Sequence, residues 1–523
     1  MTSKSLSLSR LAQETPWEPL TGQITLGKDI LELLSSSMYV DPMAIYREYV
    51  QNAADAIDEA REVGVLANHV PGRVEFSIEP ESRSVCIRDN GIGVPLHEFV
   101  ECVTAFGASH KRGRNARGFR GVGRLAGIGY CQELLFRTRA LGESFLSELR
   151  WDCRKMKHLM RSEVGGKYLR DIVLESVTVR QLPTKGSPEH FFEVELRGII
   201  RHRNDQLLDV TAINAYLAQV GPVPFAPDFC FGQAISSALL AHVNLGEIEI
   251  TLPGMEHPIY RPHRDKLELS DGKTDTFTEL EMINIPGMDG DVAAVGWVLH
   301  HGYTGALPGS TLQKGLRLRA GNIQVGDDRL LEDFFPEPRF NSWSVGEIHI
   351  LDPRIVPNGR RDNFEQNTHY LNILAHLAPV ARELSKRCRS SSIRRNRWRE
   401  FLREVEIARE TLGIIKQGAL AKAEQARLLR EAYTSLSNAE RIAGGEFFEA
   451  PPDAHPRNEL RKLIAQITKV AEGRHSLPRL DHLSKTHRQA YQQVFSLIYE
   501  CAPNRSVARA IVDRIMTRLQ GPI

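Results

Sequence analysis

Three short stretches in the first quarter of the chain combine carboxylates, a carboxamide and closely spaced glycines. They read Glu48-Tyr-Val-Gln-Asn52-Ala-Ala-Asp55-Ala56, Asp89-Asn-Gly91-Ile-Gly93 and Gly118-Phe-Arg-Gly121-Val-Gly123. Together they predict one ATP site, with a carboxylate base, an amide ligand for magnesium, a carboxylate that hydrogen-bonds adenine and a glycine-rich cover for the phosphates. The sequence contains no Gly-x-x-x-x-Gly-Lys-Ser/Thr loop, so a P-loop does not explain this chemistry.

The first stretch is predicted to lie on a helix. Apolar residues recur at helical spacing between Ile24 and Ala60, and Asp41-Pro42 is typical of a helix start. Glu48, Asn52 and Asp55 stand at i, i+4 and i+7, so they project from one face. The small residues beside Asn52 indicate close approach of a ligand. The amide oxygen of Asn52 suits Mg²⁺, and Glu48 would polarise the attacking water. The alternative is an ordinary solvated helix face.

The second stretch is predicted to end a strand. Residues Arg73 to Arg88 alternate between apolar and polar types, with a hairpin turn at Pro80 to Arg83. A buried Asp89 at the strand end could accept a hydrogen bond from the exocyclic amine of adenine. Gly91 and Gly93 would let the base lie against the backbone. The alternative is a turn without a ligand, since Asp-Asn-Gly forms turns readily.

The third stretch resembles a dinucleotide-binding fingerprint only superficially. Gly121 to Ala126 fits Gly-x-Gly-x-x-Gly/Ala, but no apolar strand precedes it, and the strand predicted at Leu134 to Arg139 lacks the ribose-binding acid. The sequence instead predicts a basic lid over residues 107–117, containing Lys111, followed by a helix N-terminus at Gly121 to Gly123 that holds the phosphates. The alternative is a basic surface loop.

The segment from Ile24 to Arg61 resembles the opening of the Hsp90 chaperones, and all three stretches match the GHKL (Bergerat-fold) ATPase superfamily. That group includes Hsp90, MutL proteins, type II topoisomerase ATPase subunits, MORC ATPases and histidine kinases. The resemblance implies Glu48 as general base, Asn52 as magnesium ligand and Asp89 as adenine contact, with Asp55 and Gly93 lining the nucleoside pocket. It also implies a phosphate-binding turn formed by Gly118, Phe119, Gly121, Val122 and Gly123.

The chain departs from the Hsp90 pattern in several places. The lid is shorter than in typical Hsp90 proteins, and Gly118-Phe-Arg-Gly121 is closer to the sequence pattern of MutL proteins. Glu59 stands where Hsp90 proteins usually have lysine. The fourth motif of the superfamily is at best Gly186-Ser187. Histidine kinases lack a water-activating glutamate at the Glu48 position, which argues against that branch.

A second part of the site is predicted far downstream. A strand at Val345 to Leu351 precedes Pro-Asn358-Gly-Arg360-Arg361-Asp-Asn-Phe-Glu. This segment resembles the catalytic loop of the Hsp90 middle domain, which implies that Arg361 reaches the γ-phosphate and neutralises charge that develops in phosphoryl transfer. Arg360 is the alternative residue for this role. The ordinary interpretation of the segment is a turn with two solvated arginines.

The bulk properties suit a soluble multidomain protein. The 523 residues are too many for one core, and the net charge of +2 indicates no general polyanion partner. Seven cysteines without a Cys-x-x-Cys pair favour reduced thiols in a cytoplasmic protein, and no apolar run suggests a membrane span. We predict an α+β protein with a Bergerat-fold α/β sandwich at 1–205, an S5-like transducer domain at 206–378 and a helical region at 379–523. A strand is expected over Gly315–Val325, and helices are expected over Ala381–Ala443 and Glu459–Leu519.

One basic run stands out in the helical region. Between Arg382 and Arg403 there are nine Lys and Arg residues, with Trp398 among them and only two glutamates. Such a run could contact nucleic-acid phosphates, and its ordinary interpretation is a solvated helix face near a domain junction.

The function implied by the resemblance is slow hydrolysis of Mg-ATP that drives lid closure, domain rearrangement and homodimerisation. We expect a chaperone-like machine that remodels a protein client or accessory protein, without membrane contact. The alternative, favoured by the short lid and the basic run, is a MutL- or MORC-like ATP-gated nucleic-acid clamp in DNA repair or anti-phage defence. A third hypothesis is a nucleotide-dependent scaffold without useful turnover.

Overall fold

The computed structural model describes residues 41–105, 123–161, 168–201, 203–269, 272–472 and 480–519. The predicted α+β class is confirmed: one mixed sheet lies in the amino-terminal part, a second sheet follows, and the carboxyl-terminal part is helical. The predicted domain limits remain predictions. None of the helices in these ranges is long and apolar enough to cross a membrane.

The first sheet has seven strands. In chain order they are β1 (Arg73–Glu79), β2 (Ser84–Asp89), β3 (Glu133–Arg139), β4 (Phe145–Asp152), β5 (Val177–Pro183), β6 (Phe191–Arg197) and β7 (Glu249–Thr251). Their spatial order is β5-β4-β3-β6-β2-β1-β7, and all neighbours are antiparallel except β1 and β7. The predicted hairpin is confirmed as β1 and β2. The sheet therefore includes a strand, β7, from beyond residue 205.

Helices cover one face of this sheet. They are α1 (Ala44–Glu62), α2 (Leu96–Thr104), α3 (Cys153–Arg161), α4 (Leu169–Ser176) and α5 (Val210–Val220). Alternate residues of β1, including Phe76 and Ile78, are buried, and the ring of Phe76 meets that of Tyr46 on α1 with 5.6 Å between centroids. The other face carries cross-strand ion pairs, such as Arg137 with Glu193 at 2.6 Å. The amino-terminal part is thus a two-layer α/β sandwich.

The second sheet has five strands and follows a short helix and a hairpin. In chain order these elements are α6 (Gly232–Leu240), β8 (Lys266–Glu268), β9 (Thr274–Thr276), β10 (Glu279–Pro286), β11 (Val292–His300), β12 (Gly315–Ala320), β13 (Ile323–Val325) and β14 (Val345–Ile350). The order is β10-β11-β14-β12-β13, and β8 pairs only with β9. The single strand predicted over 315–325 is wrong. Gly321 (φ 58°) and Asn322 (φ 61°) form a two-residue turn between β12 and β13. Left-handed backbone at both positions is typical of such tight hairpins.

The described residues from Thr368 onward are mostly helical, in α7 (Thr368–Gln417), α8 (Lys422–Ala443), α9 (Pro456–Ala471), α10 (Lys485–Cys501) and α11 (Arg505–Leu519). α7 starts earlier than predicted because the side chain of Asn367 accepts from the backbone N–H of Tyr370, and it continues through Pro379 for 50 residues. The continuous helix predicted over 381–443 is wrong, since Gly418 (φ 67°) ends α7. The helix predicted over 459–519 is likewise divided, into α9, α10 and α11.

Three buried charged side chains connect the second sheet to the end of α5. Arg319 on β12 donates to the carbonyl of Gln219 at 2.7 Å, and Arg261 donates to the carbonyl of Val223 at 3.0 Å. Glu347 on β14 pairs with both arginines, and its Oε1 lies 2.7 Å from Nε of Arg319. Removal of Glu347 would leave two buried arginines without their shared carboxylate, so this cluster contributes to holding the two sheets together.

Two buried histidines beside this cluster make stability depend on pH. Burial would raise the pKa of Glu347, but Arg261 and Arg319 hold it well below its usual value. Burial lowers the pKa of His263 to about 3 and that of His349 to about 4. An unfolded histidine titrates at about 6.5. Between these values the unfolded chain binds protons that the folded chain does not, so stability falls as pH falls.

We expect acidification from pH 7 to pH 5 to lower the free energy of unfolding by about 2 kcal/mol through His349 alone. Thermal or urea unfolding at pH 7, 6 and 5 measures this loss. The His349→Asn variant should show a smaller pH dependence, while His97→Asn, which changes an exposed histidine, should behave as the parent protein does. Equal pH dependence in the parent and His349→Asn would contradict the assignment.

Candidate active site

Glu48 lies on the buried side of α1 although it carries a carboxylate. Only 11% of its side chain is exposed, and Oε1 lies 3.6 Å from Nη2 of Arg47. One turn later Asn52 is half-buried, and Asp55 beyond it is buried. The helix therefore presents a carboxylate and a carboxamide side by side, with a cation close enough to offset the cost of burying the carboxylate.

The backbone at Gly123 packs directly against Glu48. A Cβ atom at this position would collide with Oε2 of Glu48, so any larger residue would require the Glu48 carboxylate to move. Gly123 begins a 3₁₀ helix that runs to Gly129, and the N–H of Gly127 donates to the hydroxyl of Tyr49 on α1 at 3.0 Å. The other residues predicted to cover the phosphates, Lys111, Gly118, Phe119, Gly121 and Val122, lie outside the described residues.

Asp89 is buried at the end of β2, where a tight turn begins. Its Oδ1 accepts from the N–H of Gly91 at 2.8 Å, and Gly91 packs so closely on Ala56 of α1 that an added Cβ would lie 2.7 Å from the Cβ of Ala56. The carbonyl of Gly91 also contacts Nδ1 of His190 at 2.8 Å. Sequence reasoning missed His190, because no local pattern connects it to a turn 99 residues earlier. Ala56 on α1 and His190 therefore both contact the Gly91 turn and hold it in place.

Gly93 closes this turn in a conformation that requires glycine. Its φ is 72°, in the left-handed region, and an added Cβ would collide with the carbonyl of Arg139 at the end of β3. Gly93 therefore brings the backbone of the turn against the neighbouring strand end.

A cavity of about 900 Å³ lies between α1, α2 and the sheet. Asn52, Asp89 and Gly93 all line it, and their roles in nucleotide binding remain predictions. Its volume falls within the range of about 300–1,000 Å³ that is typical of small-molecule sites. The apolar walls are Ile92, Val94, Phe136, Phe192 and Val194. Asp55 and Gly91 are not among the described residues that line the cavity.

Arg361 reaches Glu48 from the turn that follows β14. Nε of Arg361 lies 3.6 Å from Oε1 of Glu48, and only 9% of the Arg361 side chain is exposed. The side chain of Arg360 is exposed, and its carbonyl accepts from Nη2 of Arg47 at 3.1 Å. Of the two arginines left open by the sequence, Arg361 is the one beside the carboxylate.

The turn around Arg361 is held in place by its own hydrogen bonds. Arg361 has a φ of 56°, its N–H donates to the carbonyl of Asn358 at 3.1 Å, and its carbonyl accepts from Gly326 at 2.8 Å. Tyr370 on α7 donates from its hydroxyl to Oδ1 of Asn363 at 3.0 Å. A non-glycine residue in the left-handed region is uncommon, and here β13 and α7 stabilise it.

The donor set at this site fits magnesium held partly by phosphate. The described residues contain no group of three His, Cys, Asp or Glu side chains that could form a metal site alone. Asn52 offers a single amide oxygen at the cavity wall. Mg²⁺ usually keeps several waters and takes the remaining ligands from the substrate phosphates, so one protein ligand is sufficient.

Comparison with known protein families matches the segment that supplies most of the residues lining this cavity. Residues 43–169 match the family described as histidine kinase-, DNA gyrase B- and HSP90-like ATPases. This segment, which we call the ATPase domain, is similar to that family. The GHKL resemblance is therefore confirmed for this domain, which contains Glu48, Asn52, Asp89, Gly93 and Gly123. Arg361 lies outside the matched segment.

Curated proteins that are similar to this chain match about a third of it or less. The chaperone protein HtpG of Chromobacterium violaceum is 26% identical over 204 residues, which are 34% of this chain and 30% of that protein. HtpG of Rhodospirillum rubrum is 35% identical over 89 residues, 16% of this chain and 14% of that protein. The matches therefore span about a third or less of the curated relatives' own length. The Hsp90-like character is confirmed over that part.

The Gly93 turn gives a test of the pocket of the ATPase domain. In Gly93→Ala the added methyl group meets the Arg139 carbonyl, so the turn must move, and we expect ATP affinity to fall at least tenfold. Gly142→Ala is a matched control, because its φ of 87° is also left-handed but its added Cβ meets nothing within 4 Å. That control should lose only about 1–2 kcal/mol of stability. Calorimetric titration and thermal unfolding distinguish the two, and equal ATP affinity in both variants would contradict the turn's role.

Proposed function

We propose that this protein binds Mg-ATP in the cavity of its ATPase domain and hydrolyses it slowly, with Arg361 and Glu48 as the catalytic pair. The contact of 3.6 Å between Arg361 and Glu48 carries this proposal, because it joins a turn after the second sheet to α1 of the ATPase domain. This contact places a cation from a distant part of the chain beside the carboxylate base, where it would be close enough to neutralise charge on the γ-phosphate during phosphoryl transfer.

The cavity suits an adenine nucleotide through its polar and apolar walls. The carboxylate of Asp89 would accept from the exocyclic amine of adenine, and the Gly93 turn would let the base lie against the backbone. Phe136 and Phe192 would exclude water from the base. The amide oxygen of Asn52 would hold Mg²⁺, which when bound neutralises phosphate charge.

Glu48 and Arg361 have complementary roles in the proposed reaction. Glu48 would accept the proton of the attacking water, and the guanidinium of Arg361 would offset negative charge on the γ-phosphate. In the structure the guanidinium of Arg361 lies beside the carboxylate of Glu48 and offsets its charge. Binding of the triphosphate would draw Arg361 from the carboxylate to the phosphate and leave Glu48 free to act as base. The turn that carries Arg361 is bonded to β13 and α7, so this shift would be transmitted to the second sheet and the helical region.

The proposed output is remodelling of a protein client, in keeping with the chaperone name of the HtpG relatives. ATP-driven homodimerisation and closure of the predicted lid at 107–117 are parts of the same proposal. A scaffold that binds ATP without turnover would leave Glu48 without a chemical role.

Calorimetric titration with Mg-ATP, phosphate release assays and sedimentation with a non-hydrolysable ATP analogue test the proposal. We expect a saturable binding heat, slow turnover and a shift towards dimers with the analogue. Suppression of client aggregation in the presence of ATP would support the chaperone-like output. The absence of any binding heat with Mg-ATP would overturn the proposal, and binding without turnover would favour the scaffold.

A further inference from the structure

The basic run of α7 forms one wall of a second cavity, of about 1160 Å³ and open to solvent. The opposite walls come from the turn after β11 and the loop that contains Pro451 and Pro452. Six Lys or Arg and two Glu are among the described residues that line it, which leaves a net charge of +4 against +2 for the whole chain. We call this the basic groove. Its cationic residues are Lys273, Lys386, Arg387, Arg394, Arg395 and Arg399.

The groove residues of α7 lie on a single face of the helix. One row recurs every four positions from Lys386 to Trp398, and the adjacent row recurs every four positions from Arg387 to Arg399. At 1.5 Å per residue these rows extend for about 20 Å. Cationic side chains therefore follow a line that is long enough for several phosphate groups, and this face of the helix is one wall of a cavity.

Neighbouring elements hold the groove in shape. The hydroxyl of Ser391 donates to the carbonyl of Gly302 at 2.8 Å, which ties α7 to the turn after β11. The guanidinium of Arg395 lies over the ring of Trp343, 5.5 Å from its centroid. The walls are therefore preorganised, which reduces the entropy lost when a ligand binds.

The ion pairs within the groove are weak enough for phosphate to replace them. Lys386 lies 3.4 Å from Glu383, and Arg394 lies 2.8 Å from Glu449. All four side chains are at least half exposed, and such pairs contribute little to stability. Lys386 and Arg394 can therefore exchange a carboxylate for a phosphate at small cost.

Trp398 adds a surface for stacking to this line of charge. Its indole lies parallel to the ring of Phe401, with 5.3 Å between centroids, and it lines the groove while half-buried. Grooves that combine a line of cations with an aromatic platform bind single strands, because the cations contact phosphates and the aromatic ring stacks on a base. In a duplex the base faces are already stacked on one another, and an acidic peptide offers charge without bases.

We propose that the basic groove binds single-stranded nucleic acid, with its cations on the phosphates and Trp398 against a base. The site is separate from the ATP cavity and stands independently of hydrolysis.

Fluorescence anisotropy of the full chain with labelled dT20, labelled rU20 and a labelled duplex tests this proposal. We expect single strands to bind more tightly than the duplex, with a dissociation constant on the order of 10⁻⁶–10⁻⁴ M that weakens as salt rises. Tighter binding of dT20 would identify the ligand as DNA, and tighter binding of rU20 would identify it as RNA. No binding of either strand at 50 mM salt, or equal competition by a poly-glutamate peptide, would overturn the proposal.

Charge reversal locates the binding on the protein. In Arg394→Glu/Arg399→Glu we expect affinity for the single strand to fall at least tenfold and the salt slope to decrease by about 1.4, because two phosphate contacts are lost. Arg397→Glu/Arg403→Glu makes the same change in charge at exposed positions of α7 that do not line the groove, and it should keep most of the affinity. Equal loss in both pairs would contradict a groove site.

Two further measurements complete this test. Trp398→Leu should weaken binding of dT20 while leaving the salt slope unchanged, since stacking involves no counterion release, and an unchanged affinity would remove Trp398 from the site. ATP hydrolysis measured on the same preparations should match the parent protein in both charge-reversal pairs. Nucleic-acid binding and ATP hydrolysis are measured separately on the same proteins, so either proposal can fail without the other.

Discussion

Replacement of Glu48 by glutamine is expected to slow ATP hydrolysis by a factor of about 10² to 10⁴. Glutamine has nearly the same shape but cannot accept the proton of the attacking water. It also leaves Arg47 and Arg361 without the carboxylate that they now contact. The triphosphate would then take the place of this carboxylate as an anion beside them, so we expect ATP affinity to be retained or increased. Phosphate release and calorimetric titration measure the two effects separately.

Glu62→Gln is the matched control for this experiment, because it removes an exposed carboxylate from the end of the same helix. Its hydrolysis rate should stay within twofold of the parent rate. A Glu48→Gln protein that hydrolyses ATP at the parent rate would show that another group activates the water. The slow variant would also trap the nucleotide-bound state, and a pull-down with it would identify the partner that this state holds.

The second large effect is expected at Arg361. Arg361→Ala should lower the turnover number by about 10³ or more with a smaller change in ATP affinity, because its guanidinium acts mainly on charge that develops during phosphoryl transfer. Alanine would occupy the same left-handed backbone conformation at a similar cost, so loss of the turn should not dominate the result. Steady-state kinetics separate the turnover number from the Michaelis constant.

Arg360→Ala is the internal control, since its side chain is exposed and the bond it makes to Arg47 uses its backbone carbonyl. That variant should hydrolyse ATP within about twofold of the parent rate. If Arg360→Ala instead lost activity while Arg361→Ala retained it, the assignment of the two arginines would be reversed. If both variants were fully active, the turn after β14 would have no part in the reaction.

Local sequence patterns were sufficient wherever a structure depends on neighbours in the chain. The alternation in residues 73–88 predicted β1 and β2, because each side chain of a strand faces opposite to the next. Helical spacing predicted that Glu48 and Asn52 share one side of α1. The same reasoning failed at residues 315–325, where two left-handed residues interrupt an apolar run, and at Gly418, which ends a helix whose flanks both favour helix.

The resemblance to GHKL ATPases was visible in the chain alone, since a carboxylate, an amide and glycines at set spacing are local features. The surroundings of these residues became visible only in the folded protein. The fold shows that Arg361 rather than Arg360 meets Glu48, that His190 contacts the Gly91 turn, and that the basic run of α7 lines a groove. Such contacts join residues far apart in the chain. Their proximity depends on the order of strands in the sheets and on helix packing, and no short stretch of sequence specifies either.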